Sequence, residues 1–112
     1  SVYDLVTPEL LVSILTHVGR DEKLRGPFEA SLPVAGREGT LSRRMRGTAA
    51  AGNVHAKTGS LSNSRALSGY LRDADGRDLV FSILVNNFGP SAESVDRTMD
   101  AILVRLSGFS QR

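Results

Sequence analysis

With 112 residues and no cysteine, the chain has room for one domain or part of one, and it can form neither a disulfide nor a thiolate metal site. Hydrophobic residues at 40% and charged residues at 23% fit a folded, globular chain, and no apolar run reaches the length of a membrane span. A net charge of +2 is too small to imply a nucleic-acid partner, even with a calculated pI near 9.5.

Thr7-Pro8-Glu9 predicts a helix start: a hydroxyl cap, a proline at the first helical position and an acid in the first turn. Leu10, Leu11, Ile14, Leu15 and Val18 then recur at helical spacing as an expected core stripe, and Gly19 is the expected terminator. Residues 20–52 read as irregular, punctuated by Gly26-Pro27, Pro33, Gly36, Gly39, Gly47 and Gly52, with a short helix expected over Leu41 to Arg46. Arg43, Arg44 and Arg46, with Arg37 nearby, form the one local basic cluster. No aromatic residue interleaves with them, so they read as a solvated helix face and not as a nucleic-acid patch.

A strand leading to Lys57 follows, then two more over Arg65 to Arg72 and Leu79 to Asn87, joined by Asp73-Ala74-Asp75-Gly76-Arg77. The Asp-Gly pair is a turn signal; a calcium loop is excluded, because the glycine comes too soon and no glutamate closes the loop. Phe81, Ile83 and Val85 line one face of the last strand, and Val80 and Leu84 the other, as in a strand covered on both sides. A helix from about Ser91 to Ser107 closes the chain, with Val95, Met99, Ile102 and Leu106 on one face, Leu103 alongside and Gly108 at its end. The expected fold is α+β of the three-layer α/β type, with three antiparallel strands between N- and C-terminal helices. Both helices are expected on one face of the sheet, which leaves the other face for a segment outside this chain.

Lys57-Thr58-Gly59-Ser60 carries the chemistry. A strand with this order is expected to present a cation and two hydroxyl donors on one rim, beside a glycine where a ligand can approach the backbone. Charge-assisted donors suit a carboxylate. K-T-G is also one of three signature elements of penicillin-binding proteins and serine β-lactamases. The other two, S-x-x-K and S-x-N, are not present as a matching set, and Ser42, Ser62, Ser64 and Ser68 have no lysine three residues on.

Several blocks in order resemble the C-terminal part of serine-type D-alanyl-D-alanine carboxypeptidases, the class C penicillin-binding proteins. They are Tyr3-Asp4-Leu5-Val6-Thr7-Pro8, Leu32-Pro33-Val34-Ala35-Gly36, Gly39-Thr40-Leu41, Val54 to Leu61, Ala66-Leu67-Ser68-Gly69-Tyr70 and Phe81 to Asn86. The resemblance implies that residues 1–112 are the C-terminal portion of a penicillin-binding transpeptidase-type domain, whose nucleophile lies upstream of Ser1. It implies covalent serine catalysis on D-Ala-ended peptidoglycan stem peptides, sensitivity to β-lactams and a bacterial envelope location, periplasmic or extracellular. Lys57 would supply positive charge at the cleft, the Thr58 and Ser60 hydroxyls would hold the terminal carboxylate, Gly59 would keep the wall open, and the Ser60 backbone N–H would be an oxyanion donor. No cofactor and no metal are expected. The partners implied are the upstream part of the same enzyme, stem peptides and β-lactams.

Ser60 stands where threonine is common, and Asn63-Ser64-Arg65 replaces a segment that is usually more apolar or contains glycine. These departures bear on substrate preference. His55 shares a strand face with Lys57 by its two-residue spacing, which would permit acid–base work. The family pattern uses a lysine there and His17 lies on the first helix, so His55 reads as structural or surface. Two other functions fit the same residues: a serine β-lactamase and a non-catalytic module that binds peptide carboxylates.

Overall fold

The computed structural model describes residues 7–61, 63–86, 89 and 91–112. The Tyr3 to Val6 block, Ser62 and the Asn87 end of the last expected strand lie outside the described residues. Helix α1 spans Pro8–Gly19, with the Thr7 hydroxyl accepting the Leu10 N–H at 3.1 Å. Gly19 is the last helical residue and Arg20 the cap, in an ordinary right-handed conformation, so the expected glycine terminator is corrected by one residue. The α1 stripe is narrower than expected. Leu15 is buried and Leu11 and Val18 are half-buried, while Leu10 and Ile14 are 43% and 50% exposed.

The loop-rich segment holds a helix that its Gly-Pro pair hid: α2, Arg25–Ala30. Proline is tolerated here because Pro27 lies in the first turn, where its missing N–H has no intrahelical partner to lose. The Asp21 carboxylate prepares the start by accepting from the Lys23 and Leu24 N–H groups at 2.8 and 3.1 Å. The helix expected over Leu41 to Arg46 is absent. A single 3-10 turn spans Gly39–Leu41, and Met45 then takes a left-handed backbone (φ 61°) that ends any right-handed run. Its side chain is buried in the core, which holds that conformation in place. The arginines beside it therefore sit on turns and not on a helix face, and Arg44 clasps both Asp100 oxygens.

Strands β1 (His55–Leu61), β2 (Ser64–Arg72) and β3 (Asp78–Asn86) form an antiparallel sheet in that order. β1 does not stop at Lys57. It runs on to Leu61, which pairs with Ser64 across a two-residue connection whose second residue, Asn63, has φ 59°. Asparagine tolerates that conformation, and it suits a tight hairpin turn. At the β2–β3 connection Gly76 supplies a positive φ, and the buried Asp73 carboxylate accepts from the Asp75 and Arg77 N–H groups and from Arg77 Nε. Asn53 extends the ladder: its side-chain amide exchanges two hydrogen bonds with the Arg72 backbone, at 2.8 and 2.9 Å.

Helix α3 (Ala92–Ser107) starts at a Ser91 cap that accepts the Ser94 N–H. Its buried stripe is Val95, Met99 and Leu103; Ile102, expected inside, is 44% exposed. This stripe packs with Leu67, Leu71 and Phe81 of the sheet and with Ala35, Leu41, Met45, Ala50, Val54 and Ala56. On the opposite face Tyr70 packs with Leu15 of α1, Leu32, Phe28 and Val80, and its hydroxyl donates to the Leu15 carbonyl at 2.7 Å. The two helices thus cover opposite faces, which corrects the expectation that both share one. Strand alternation is the reason: Leu67 and Leu71 project one way and Tyr70 the other. The result is three layers, helix on sheet on helix.

Candidate active site

The site is built on the outer edge of β1. Loop residues 33–35 pair with its first half: Ala35 N–H donates to the Val54 carbonyl at 2.9 Å, and Ala56 N–H donates to the Pro33 carbonyl at 3.0 Å. Val54 and Ala56 therefore turn their backbone groups away from β2. By the two-residue alternation of a strand, the N–H groups of Thr58 and Ser60 point to that same outward side. Neither has a hydrogen-bond partner among the described residues. The loop covers the start of the edge and leaves the K-T-G half open.

The side chains of this half divide between the two faces. Thr58 lies opposite Leu67 and Ser60 opposite Arg65, on the α3 face; Lys57 lies opposite Ser68 and Gly59 opposite Ala66, on the α1 face. The single rim expected for cation and hydroxyls is thus corrected. A ligand along the edge meets Lys57 from one side and both hydroxyls from the other. Lys57 is exposed and forms no ion pair among the described residues. A Cβ added to Gly59 would meet only the Ala66 Cβ, at an ordinary 3.5 Å. Among the described residues no packing contact requires a glycine there.

Three residues lie at this edge whose contacts with Thr58 and Ser60 the sequence did not indicate. The Thr40 hydroxyl accepts from Thr58 Oγ1 at 3.4 Å, a long contact that brings the Gly39–Leu41 turn beside the edge. Arg65 donates from Nη1 to Ser60 Oγ at 3.0 Å, and its Nε and Nη2 grip both oxygens of Asp96 on α3 at 3.1 and 2.6 Å. Thr40 carried a signal in its Gly39-Thr40-Leu41 block. Arg65 carried one too, as part of the Asn63-Ser64-Arg65 departure, but its place beside Ser60, like that of Asp96, became visible only with the β1–β2 register.

His55 shares the Lys57 face, opposite Tyr70, as its spacing predicts. It lines a polar cavity of about 230 Å³ with Arg25, Glu29, Asn53, Arg72 and Asp78, and its Nδ1 is buried without a partner among the described residues. None of residues 57–60 lines that cavity, so it lies apart from the K-T-G half of the strand. Inside it, the Arg25 guanidinium rests 4.5 Å from the Tyr70 ring centre and bonds Glu29, which raises the arginine's pKa further. Burial also raises the Tyr70 hydroxyl, against the pull of Arg25. Ser64, one of the serines excluded as nucleophile, donates its hydroxyl proton to Asn86 at 2.6 Å. Among the described residues no cluster of three or more His, Asp or Glu side chains is arranged to hold a metal, and no helix is long and apolar enough to cross a membrane.

The fold is similar to two crystal structures of penicillin binding protein 4 (dacB) from Haemophilus influenzae. One of them, complexed with a β-lactam, matches with a TM-score of 0.81 at 24% identity over 93% of this chain and 26% of that one. The other gives 0.73 at 25% identity, again over 93% of this chain and 25% of that one. In sequence the chain is 46% identical to the D-alanyl-D-alanine carboxypeptidase of an Actinomadura species, over 96% of this chain and 20% of that protein. It is 40% identical to Carboxypeptidase DacB of Mycolicibacterium smegmatis, over 76% of this chain and 19% of that protein. The chain therefore spans about a fifth of the length of these relatives. A model of the D-Ala-D-Ala carboxypeptidase 3 (S13) family matches residues 1–107, and the chain belongs to that family.

Proposed function

We propose that residues 1–112 are the C-terminal portion of a penicillin-binding transpeptidase-type domain, and that the Lys57–Ser60 edge is one wall of a serine D,D-carboxypeptidase active site. The observation that carries this reading is the open half of β1. Two outward N–H groups and two hydroxyls converge where loop 33–35 stops pairing, next to a glycine that the fold itself does not need. The short span relative to the family's members supports a larger enzyme. So does β3, which is apolar on both faces and whose outer edge carries no strand among the described residues. Such an edge is a pairing surface.

In this reading the peptide lies along the edge as an added strand. A serine on the upstream portion attacks the carbonyl of the penultimate D-Ala. The C–N bond breaks, the terminal D-Ala leaves with a proton, and water releases the acyl-enzyme. As the carbonyl carbon becomes tetrahedral, its oxygen gains charge and accepts from the Ser60 N–H. The Thr58 and Ser60 hydroxyls hold the terminal carboxylate, Lys57 adds positive charge from the other face, and Gly59 leaves that face clear. The substrates are peptidoglycan stem peptides ending in D-Ala, with endopeptidase cleavage between stems as a related activity. β-Lactams acylate the same serine, and the enzyme works in the bacterial envelope, on its periplasmic or extracellular side.

The test is labelling with a fluorescent penicillin followed by peptide mapping. The complete enzyme should carry the label on a serine outside residues 1–112, and residues 1–112 alone should stay unlabelled. A labelled serine within residues 1–112 would overturn the division of roles. An unlabelled complete enzyme would overturn the carboxypeptidase reading and leave the non-catalytic carboxylate-binding module or, if the penicillin is hydrolysed, a serine β-lactamase.

A further inference from the structure

We infer that Arg65 is a second cationic anchor for the ligand's terminal carboxylate and so a specificity-determining residue of the β1 edge; this rests on the function proposed above. The first observation is position. Arg65 is the cross-strand partner of Ser60, so both side chains leave the same face of the sheet, and Nη1 lies 3.0 Å from Ser60 Oγ. The second is charge. Lys57 projects from the opposite face, so on the hydroxyl face a carboxylate would rest on two neutral donors, Thr58 and Ser60, with Arg65 as the adjacent cation. A guanidinium matches a carboxylate in shape and binds it more strongly than a neutral donor does.

The third observation is how Arg65 is held. Asp96 grips the Nε–Nη2 edge, which fixes the guanidinium plane, and Ser60 takes one Nη1 donor. Three of the five N–H donors are thus used, and the other two have no partner among the described residues. The side chain keeps 24% of its surface exposed, enough for a ligand on the edge to reach it. The bond to Ser60 has a further effect. A serine hydroxyl has one donor and two lone pairs, so the Arg65 N–H occupies a lone pair and leaves the hydroxyl proton free for the carboxylate. Arg65 thereby orders Ser60 as a donor and adds its own charge beside it.

A purely structural role, as a strut between β2 and α3, makes a different forecast. The complete enzyme and its Arg65→Ala, Arg65→Lys and Thr58→Val variants would be compared by second-order acylation rate with a D-Ala-D-Ala peptide and with its C-terminally amidated analogue. A general folding defect slows both substrates alike, so the free-to-amidated ratio isolates carboxylate recognition. Arg65→Ala should lower that ratio roughly ten- to a hundredfold, the range for a lost charge-assisted hydrogen bond. Arg65→Lys should recover part of it, since it keeps the charge and loses the fork. If Thr58→Val lowers the ratio and Arg65→Ala does not, Arg65 is only a strut and the proposed function stands. If neither variant changes the ratio, the carboxylate reading of this edge falls, and the role of Arg65 with it.

Discussion

Two glycines in neighbouring strands do opposite things. At Gly69 an added Cβ would overlap the His55 carbonyl oxygen and lie 2.7 and 2.9 Å from the Ala56 Cα and Cβ. β1 approaches β2 this closely only because Gly69 has no side chain, so Gly69 is a packing residue. Gly59 has no such neighbour among the described residues, and in the proposed function the space it leaves open is for a ligand. Gly69→Ala should therefore destabilise the protein by about 1–3 kcal/mol, the usual cost of forcing a methyl into a filled site. Gly59→Ala should change stability by no more than about 0.5 kcal/mol, as for a surface substitution, while slowing acylation. Denaturant midpoints and acylation rates on the same two variants separate the roles; a Gly59→Ala enzyme that acylates at the wild-type rate would mean that no ligand approaches that face. From the sequence, the chemistry of Lys57 to Ser60 was legible and its geometry was not. A cation and two hydroxyls within four residues read as one rim, but the alternation of an extended strand sends Lys57 to one face and Thr58 and Ser60 to the other.

At the scale of elements, the β2–β3 hairpin was legible because its turn is local. Asp-Gly sets the backbone, and the Asp73 carboxylate collects its donors from residues two and four positions on. Burial pushes the Asp73 carboxyl up, but the Arg77 and Asp75 N–H groups and the Arg77 guanidinium more than offset that and hold its pKa below the ordinary 3.8. A carboxyl depressed in the folded state stabilises fully above its unfolded value, and that contribution disappears as pH falls through the folded one. The difference in urea midpoint between wild type and Asp73→Asn should thus be constant above about pH 4 and narrow below it. A difference unchanged down to about pH 2 would show that the charge of Asp73 is not what holds the turn. Other elements were hidden for equally physical reasons. α2 contains a Gly-Pro pair that reads as a break, and the expected helix at Leu41 to Arg46 is stopped by a left-handed Met45 that only tertiary burial stabilises. The β1–β2 hairpin turns through Asn63, so the whole register, including the Ser60–Arg65 pair, depended on reading one asparagine as a left-handed residue.

For the whole molecule, the two long helices, the three strands and their order could be read from periodicity, whereas the sheet face that each helix covers could not. Amphipathic stripes tell that a helix packs on a sheet and not on which face. Tyr70 settles the matter by facing α1 while Leu67 and Leu71 face α3. With both faces covered, what remains open is edges: the outer side of β3 and the K-T-G half of β1. In the proposed function the first pairs with the rest of a larger sheet and the second holds the substrate.

That second assignment is the central claim, and Thr58→Val in the complete enzyme tests it most directly, because it removes a hydroxyl with little change of shape. The measurement is the second-order acylation rate with a D-Ala-D-Ala peptide and with the analogue whose terminal carboxylate is amidated. A hydrogen bond to a charged group contributes about 1.5–3 kcal/mol. At about 1.36 kcal/mol per decade, the free-carboxylate substrate should slow roughly ten- to a hundredfold, and the amidated one should barely change. Equal slowing of both substrates would contradict carboxylate recognition by this edge and leave Lys57 to Ser60 a structural strand end.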